Sequence, residues 1–210
     1  MQVHRIDDTM DHIKSCVTGF NAGHSSFNFL SSRRDLVVHS FDVGGHRYVS
    51  PMMSFLRRKF PGRLKVQLGD SRLTVPRHLH AGRSLSCDLI LVDGGHGFDV
   101  ALSDVRNLAR VASQPHNVIV VDDVNMRQVR TAWKLAQKSG DIQQIFTCRF
   151  GTKGRAFAVG IVGHPHNNTP CCKSRTGKDS TRLSCSLYVC LSIAAVFAVA
   201  LIKIVWLQPV

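Results

Sequence analysis

The feature that most constrains the fold is a repeat of short apolar runs, each followed by an amphipathic stretch. Two of the runs, CDLILV at 87–92 and NVIVV at 117–121, are almost continuously apolar, as expected for parallel strands covered on both faces. Helical patterns follow them over 99–111 and 126–139. The alternation predicts an α/β fold with a mostly parallel sheet.

Weaker patterns complete this sheet. Further strands are predicted at Ile13–Thr18, Leu36–Phe41, Leu64–Leu68, Ile142–Phe150 and Arg155–Val162, and further helices at Ser25–Ser32 and Val49–Lys59. The last two strands are joined by Gly151-Thr152-Lys153-Gly154, whose turn chemistry indicates a hairpin. One strand near the edge of the sheet is therefore expected to be antiparallel.

Composition divides the chain into three zones. Residues 1–163 carry the repeat, 164–186 are polar, basic and aperiodic as in a linker, and 187–207 are apolar. The third zone has the length of about 20 residues that a transmembrane helix needs, with Lys203 and Trp206 suited to the membrane interface. We expect a C-terminal membrane anchor; a buried soluble helix is the alternative.

The flanks of the apolar zone predict its orientation. Four basic residues precede it within about fifteen positions, none follows it, and no signal-peptide-like run is found near Met1; the four are Lys173, Arg175, Lys178 and Arg182. The domain is therefore expected to face the cytosol, at the endoplasmic reticulum or the mitochondrial outer membrane, leaving the Asn167 sequon unglycosylated.

Cysteine and charge usage carry less information. The seven cysteines lack metal-site spacing, and Cys16, Cys87 and Cys148 are expected to be reduced, buried thiols. Cys171-Cys172 in the linker are either S-palmitoylated or unmodified. The net charge of +13 comes from scattered Lys and Arg without a nucleic-acid-binding signature, which indicates a solvated basic surface.

Polar or glycine-rich elements follow five of the predicted strands. These are Gly19-Phe20-Asn21-Ala22-Gly23-His24-Ser25, Asp42, Gly69-Asp70-Ser71, Asp93-Gly94-Gly95-His96 and Asp122-Asp123-Val124-Asn125. The carboxyl ends of parallel strands meet at one sheet edge, where ligands of such folds bind. A single acid there is usually a helix cap, but five such elements together predict a cofactor cleft.

The runs GFNAGHSS, SFD, FPGRLKVQLGDS, CDLILVDGGHGFDVALSDVRN and NVIVVDDVN resemble the class I methyltransferases that use S-adenosylmethionine, and especially a small subgroup with a GFNAGHS first motif. The resemblance covers roughly residues 13–163. It implies a Rossmann-like sheet in which Gly19, Asn21 and Gly23 approach the methionine part of the cofactor. It also implies that Asp42 holds the ribose and that Asp70 and Ser71 lie beside the adenine.

The acids after the fourth and fifth of the polar-ended strands suggest the chemistry. Asp93, Asp122 and Asp123 resemble the metal ligands of some sugar and catechol-type O-methyltransferases, in which Mg²⁺ or a similar cation orients the acceptor and lowers its pKa. His96 is the alternative general base. For Asp122 and Asp123 helix capping is the competing explanation, and for His96 a structural hydrogen bond.

The expected function is methylation of an oxygen on a small molecule, glycan or lipid by a membrane-anchored enzyme. The alternative is a weakened or inactive methyltransferase-fold binding protein, because Val17 stands where the family usually has an acid. A nicotinamide-dependent oxidoreductase is disfavoured, since the first glycine loop is not G-x-G-x-x-G and no Tyr-x-x-x-Lys pair is present.

Overall fold

A computed structural model describes residues 12–80, 85–150 and 154–163. The strands are β1 Ile13–Thr18, β2 Leu36–Asp42, β3 Leu64–Leu68, β4 Leu89–Val92, β5 Val118–Val121, β6 Ile142–Phe150 and β7 Arg155–Val162. The helices are α1 His24–Ser32, α2 Val49–Lys59, α3 Ser71–His80, α4 Phe98–Ala109 and α5 Arg127–Lys138. Every element predicted between residues 13 and 162 is present, with ends shifted by at most two residues.

The seven strands form one sheet in the order β3-β2-β1-β4-β5-β7-β6. Strands β1 to β5 pair in parallel, whereas β7 is antiparallel to both β5 and β6. The predicted mostly parallel sheet with a C-terminal hairpin is confirmed. Successive strands are added outward from β1 on one side as β2 and β3, and then on the other side as β4 and β5. The point between β1 and β4 where this order switches is where open α/β sheets bind ligands.

A hydrophobic core cluster lies between the sheet and helices α3, α4 and α5. It joins Val75 of α3, Leu108 of α4 and Trp133 of α5 to strand residues such as Ile90 and Ile119, all nearly or fully buried. Burial of both faces explains why the central strands read as continuous apolar runs.

Helix α3 was not among the predicted elements. No helix was predicted there because Pro76 interrupts a segment with no clear apolar period. The helix forms despite the proline, and Thr74 and Val75 of its middle turns are buried.

The expectation of reduced thiols at Cys16 and Cys87 is contradicted, because the two residues form a disulfide. Cys16 lies on β1 and Cys87 just before β4, and the parallel pairing of these strands brings the two Cα atoms to 5.8 Å. A sequence separation of 71 residues hides this proximity from pattern reasoning. Cys148 is a free thiol, as predicted, but it is half-buried and not buried.

The predicted linker at 164–186 and membrane segment at 187–207 lie outside the described residues, as do Asn167, Cys171 and Cys172. Within the described ranges, no helix combines the length and the apolar character that a bilayer span requires.

Candidate active site

A cleft of about 400 Å³ opens at the carboxyl ends of the parallel strands, on both sides of the switch point. It is lined by residues of four strand-end loops and of α3 and α4: Thr18, Gly19, Asn21, Phe41, Asp42, Val43, His46, Asp70, Ser71, Arg72, Asp93, Gly94, Gly95 and Val100. Gly19, Asn21, Asp42, Asp70, Ser71 and Asp93 are thereby brought together, as the sequence predicted. Gly23 caps the N-terminus of α1, outside this lining.

The loop after β1 runs directly against the loop after β4. Gly19 has a φ of +87°, and a Cβ atom built on it would lie 1.9 Å from the backbone oxygen of Asp93. Its N–H donates to the Phe41 carbonyl at 2.8 Å. Only glycine allows both the left-handed backbone and this close approach, so three strand ends are joined at one point.

Asp42, the last residue of β2, connects the first two loops. Its Oδ2 accepts the N–H of Asn21 at 2.8 Å and its Oδ1 accepts the N–H of Gly44 at 2.7 Å. The Tyr48 hydroxyl donates to Oδ1 of Asn21 at 2.7 Å, and the Tyr48 ring stacks on His46 with 4.9 Å between centroids. Both carboxylate oxygens are fixed in place and retain lone pairs for ligand hydroxyls.

Asp70 and Ser71, the first residue of α3, follow β3 beside the end of β2, where the Gly69 N–H donates to the Asp42 carbonyl at 2.8 Å. The Arg72 guanidinium donates to both carboxylate oxygens of Asp70, and this hydrogen bonding lowers the pKa of Asp70. Because the pair is solvent-exposed, it contributes little to stability. The Arg72 pair does hold the Asp70 carboxylate ionised and in a fixed position beside Ser71.

A second group of polar side chains lies where β4 and β5 end. One ligand atom from each of Asp93, His96 and Asp123 lies within 4.8 Å of the others. His96 Nε2 and Asp123 Oδ2 are 3.0 Å apart, with about half of the His96 side chain exposed. The arrangement suits either a cation held by three side chains or a histidine base oriented by a carboxylate.

Asp122 is not part of this group. Its Oδ1 accepts the N–H of Asp123 at 2.8 Å, and its Oδ2 lies 3.5 Å from Nη2 of Arg155. Arg155 Nε is also 3.8 Å from Asp123 Oδ1. The structure therefore brings together Asp93 and Asp123 from the predicted metal set, with His96 in place of Asp122.

Burial raises the pKa values of two of these acids, Asp93 and Asp122. Burial first, and then repulsion from Asp122 and Asp123, raises the pKa of Asp93 to about 7. Burial also raises the pKa of Asp122, although the N–H of Asp123 and the charge of Arg155 oppose the shift. A positive group bound here would be attracted to carboxylates that the protein leaves incompletely neutralised.

Sequence reasoning missed two residues near the site. Arg155 begins β7, and only the register of the hairpin reveals that it reaches the acids after β5. Asp104 lies on α4 and is fully buried next to Thr18 and Gly94. On the sequence it reads as an ordinary polar position of an amphipathic helix.

The sequence and fold both match known methyltransferases. The profile of a family described as methyltransferase domain matches residues 16–124, just over half of the chain. No curated protein sequence matches the chain.

Similar folds occur among solved structures. An O-methyltransferase from Bacillus cereus in complex with SAH shares 15% identity over 71% of this chain and 74% of that chain, with a TM-score of 0.58. The O-methyltransferase TomG from Streptomyces achromogenes, involved in tomaymycin synthesis and in complex with SAM, shares 19% over 71% and 72%, with a TM-score of 0.57. Human methyltransferase-like protein 13 in complex with SAH shares 13% over 84% and 89%, with a TM-score of 0.56. These likenesses establish the fold, and with the profile match they show that the chain belongs to the methyltransferase-domain family.

Proposed function

We propose that this protein is an S-adenosylmethionine-dependent O-methyltransferase. The observation that carries the proposal is a single cleft with a fixed glycine loop and carboxylate on one side and the His96–Asp123 pair near the other. The first side suits a nucleoside cofactor and the second suits removal of a proton from a hydroxyl.

The residues of the cleft fit the cofactor chemically. Asp42 presents two anchored oxygens that can each accept a ribose hydroxyl. Gly19 and Asn21 would hold the methionine part, while Asp70 and Ser71 would lie beside the adenine. Gly23 lies outside the lining and would act only through the turn before α1.

The chain's own contribution to methyl transfer is alignment and proton removal. When bound, the cofactor supplies a methyl group already activated by a sulfonium. Gly19, Asn21 and Asp42 would hold the cofactor so that this methyl group could pass to the acceptor oxygen, with the thioether as the leaving group. His96, whose Nε2 lies 3.0 Å from Asp123 Oδ2, would take the acceptor's proton, and Asp93 lies within 4.8 Å of this pair.

A cation-assisted version is supported by the convergence of Asp93, His96 and Asp123. These residues would hold a divalent cation such as Mn²⁺ or Mg²⁺, which would lower the pKa of the acceptor hydroxyl. The imidazole nitrogen makes Mn²⁺ the better fit, because Mg²⁺ prefers oxygen ligands. Asp122 would lie outside this set of ligands, in contact with Arg155.

Two variants separate these versions. If the cation assists, Asp93→Asn abolishes Mn²⁺ binding in calorimetry and chelator stops methyl transfer by the unaltered protein. If His96 is the base, transfer survives chelator and is lost in His96→Ala. Transfer that survives both treatments would contradict both versions.

The acceptor is proposed to be a hydroxyl on a small molecule, a glycan or a lipid. Support comes from the resemblance to O-methyltransferases, one of which acts in tomaymycin synthesis. The alternative is a binding protein on a weakened methyltransferase fold, which the buried, uncharged Val17 at the end of β1 favours.

Calorimetric titration of the full-length protein with S-adenosylmethionine decides between enzyme and binding protein. We expect micromolar binding, followed by methyl incorporation into an acceptor library. Absence of cofactor binding would contradict the enzyme and leave the binding protein as the better explanation.

We propose that residues 187–207 anchor the domain to a membrane, on the strength of their apolar composition. Removing everything from Leu187 onward should release the protein from membranes with its cofactor binding intact. Retention on membranes after this truncation would contradict a sole C-terminal anchor. Acyl exchange that depends on Cys171 and Cys172 would identify an additional lipid attachment.

Two observations bear on the side of the membrane. The basic residues before the apolar segment favour a cytosolic domain, whereas the Cys16–Cys87 disulfide is typical of an oxidising compartment. We retain the cytosolic orientation as the proposal. Protease digestion of the domain on sealed vesicles would support it, while protection together with a glycan on Asn167 would contradict it.

A further inference from the structure

A second pocket opens at the edge of the sheet that strand β3 forms. It has a volume of about 250 Å³, and its described lining comes from β2, α2, β3 and α3: His39, Ser40, Phe41, Arg57, Leu64, Lys65, Val66, Gln67 and His78. Four of these described residues carry a basic or imidazole side chain, and none of them carries a carboxylate. The charged groups of the lining are therefore of one sign.

The four nitrogen-bearing side chains reach the pocket from four different elements. Arg57 of α2 donates from Nη2 to the Val66 carbonyl at 3.3 Å, which places its guanidinium at the edge of β3. Lys65 of β3 pairs in register with His39 of β2. The His39 ring lies edge-to-face against the His78 ring of α3, with 6.0 Å between centroids. Packing of the elements therefore brings together four donors that are far apart along the chain.

The protein does not balance the positive charge of this pocket with an acid. Neither Arg57 nor Lys65 forms an ion pair with a described residue, whereas Arg33, Arg72 and Arg155 each contact an aspartate. The side chains of Arg57 and Lys65 are both exposed, so an anion from solvent can reach them.

The environment of His39 shows that the excess charge also acts inside the pocket. His39 is 9% exposed. Burial, and then the charges of Lys65, His78 and Lys14, lower its pKa to about 4, and none of the charges that shift it is negative. At neutral pH, His39 is therefore an uncharged imidazole beside cations, and a bound anion would oppose their effect.

The chemistry of the lining selects the kind of ligand. Two neutral imidazoles can bind a transition metal, but Arg57 and Lys65 would repel a cation at the same place. The volume of about 250 Å³ suits a small group rather than a whole nucleotide. The oxygens of a phosphate can accept from a guanidinium, an ammonium and an imidazole N–H at once.

We propose that this pocket binds a phosphate group, held by Arg57 and Lys65 at the exposed side and by His39 and His78 within. The ligand is inorganic phosphate or a small phosphate monoester, since both present the same oxygens. The proposal does not depend on cofactor binding, because Phe41 alone among the described lining residues also lines the cleft.

Calorimetric titration of the full-length protein with inorganic phosphate and with glycerol phosphate tests the proposal at constant ionic strength. We expect saturable binding, tighter for glycerol phosphate if the ligand is a monoester and equal if it is the free anion. Arg57→Gln and Lys65→Gln should each bind about 3- to 10-fold more weakly, a modest loss because water screens exposed charges.

Arg58→Gln is the matched control for charge. It removes the same charge from the next residue of the same helix, which is also exposed and does not line the pocket. We expect its phosphate affinity to be unchanged. Equal weakening by Arg57→Gln and Arg58→Gln would show general attraction to a basic surface and overturn the proposal, as would the absence of saturable binding by the unaltered protein.

NMR titration of the His39 imidazole provides a second readout. Phosphate in the pocket should raise the pKa of His39 from about 4 toward its ordinary value of 6.5, because the anion opposes the charges of Lys65, His78 and Lys14. The shift should be smaller in Arg57→Gln at the same phosphate concentration. A pKa of His39 that does not change at saturating phosphate would place the anion elsewhere and overturn the proposal.

Discussion

The two sides of the cleft differ in how completely the protein satisfies their polar groups. On the side of β1 and β2, both oxygens of Asp42 accept backbone N–H groups and Asn21 is held by Tyr48. On the side of β4 and α4, burial raises the pKa of Asp104 to about 6 and that of Asp93 to about 7.

This difference indicates that the β1 and β2 side gives the cleft its fixed shape, whereas the β4 and α4 side is where a ligand changes the balance of charge. Groups whose hydrogen bonds are complete hold a fixed shape in the free protein, and substitutions there should damage folding and binding together. Buried acids whose charge is not fully balanced by protein partners destabilise the free protein, and a bound ligand can supply the missing interactions. Substitutions on the second side should therefore separate stability from binding.

The largest effect is expected at Gly19, on the satisfied side. Gly19→Ala would place a Cβ atom 1.9 Å from the Asp93 backbone oxygen at a φ of +87°, which should lower the free energy of unfolding by about 3 kcal/mol or more. Gly45→Ala is the control, because its Cβ would meet only a Val43 methyl at 3.7 Å. Urea denaturation measures both; equal stability of the two variants would show that the loops can separate at no cost.

Asp42→Asn should weaken S-adenosylmethionine binding about 10- to 100-fold by removing a charge-assisted acceptor and loosening the Asn21 loop. Asp88→Asn is a matched control, since Asp88 Oδ2 accepts the N–H of Lys14 at 2.8 Å away from the cleft. Calorimetry should find normal affinity in the control despite a comparable loss of stability. Unchanged affinity in Asp42→Asn would remove the cofactor role from the satisfied side.

The sequence predicted most of the fold because its signals are local. Strands such as Ile13–Thr18 and Leu64–Leu68 are bounded by glycine or polar residues and end where predicted. Helix α3 was missed because Pro76 and a weak apolar pattern mask it. Local composition was a good guide wherever periodicity was clear.

The site was predictable only as far as the sheet edge. Strand ends placed Gly19, Asp42 and Asp93 on one cleft, since parallel strands share an edge. The spacing of residues does not reveal side-chain direction or cross-strand register. The contact between Asp122 and Arg155 could therefore not be predicted from the sequence. The Cys16–Cys87 pairing was hidden for the same reason.

Asp104 provides a pH-dependent test of the unsatisfied side. Its pKa is raised from 3.8 to about 6 by burial, so the folded protein retains a proton that the unfolded chain releases. This contribution to stability is complete below pH about 4 and is lost as the pH rises through about 6. Above that pH, Asp104→Asn should unfold at a higher free energy than the unaltered protein, by on the order of 1 kcal/mol.

The difference between the two proteins is the informative quantity in this experiment. Burial and the nearby charges of Lys65 and His78 lower the pKa of His39 to about 4, so His39 also changes stability with pH, but equally in both proteins. The charges of Asp70 and Arg72, which act on position 104, are likewise present in both. Urea denaturation from pH 4 to 8 should show the gap between variant and unaltered protein closing toward pH 4. A gap that is constant with pH would mean that Asp104 is not a strained carboxylate in the free protein.

The smallest effect is expected at Arg155, which partly neutralises the unsatisfied side. Its contacts with Asp122 and Asp123 are 3.5 and 3.8 Å long and its side chain is 44% exposed, so Arg155→Gln should change the free energy of unfolding by less than about 1 kcal/mol. Without the competing positive charge, Asp93, His96 and Asp123 should bind Mn²⁺ about two- to five-fold more tightly. Arg149→Gln, on the neighbouring strand β6, controls for the loss of charge alone. Tighter Mn²⁺ binding in Arg155→Gln only would tie the acids to a cation, whereas Mn²⁺ binding by neither protein would leave Arg155 as their partner and His96 as the base.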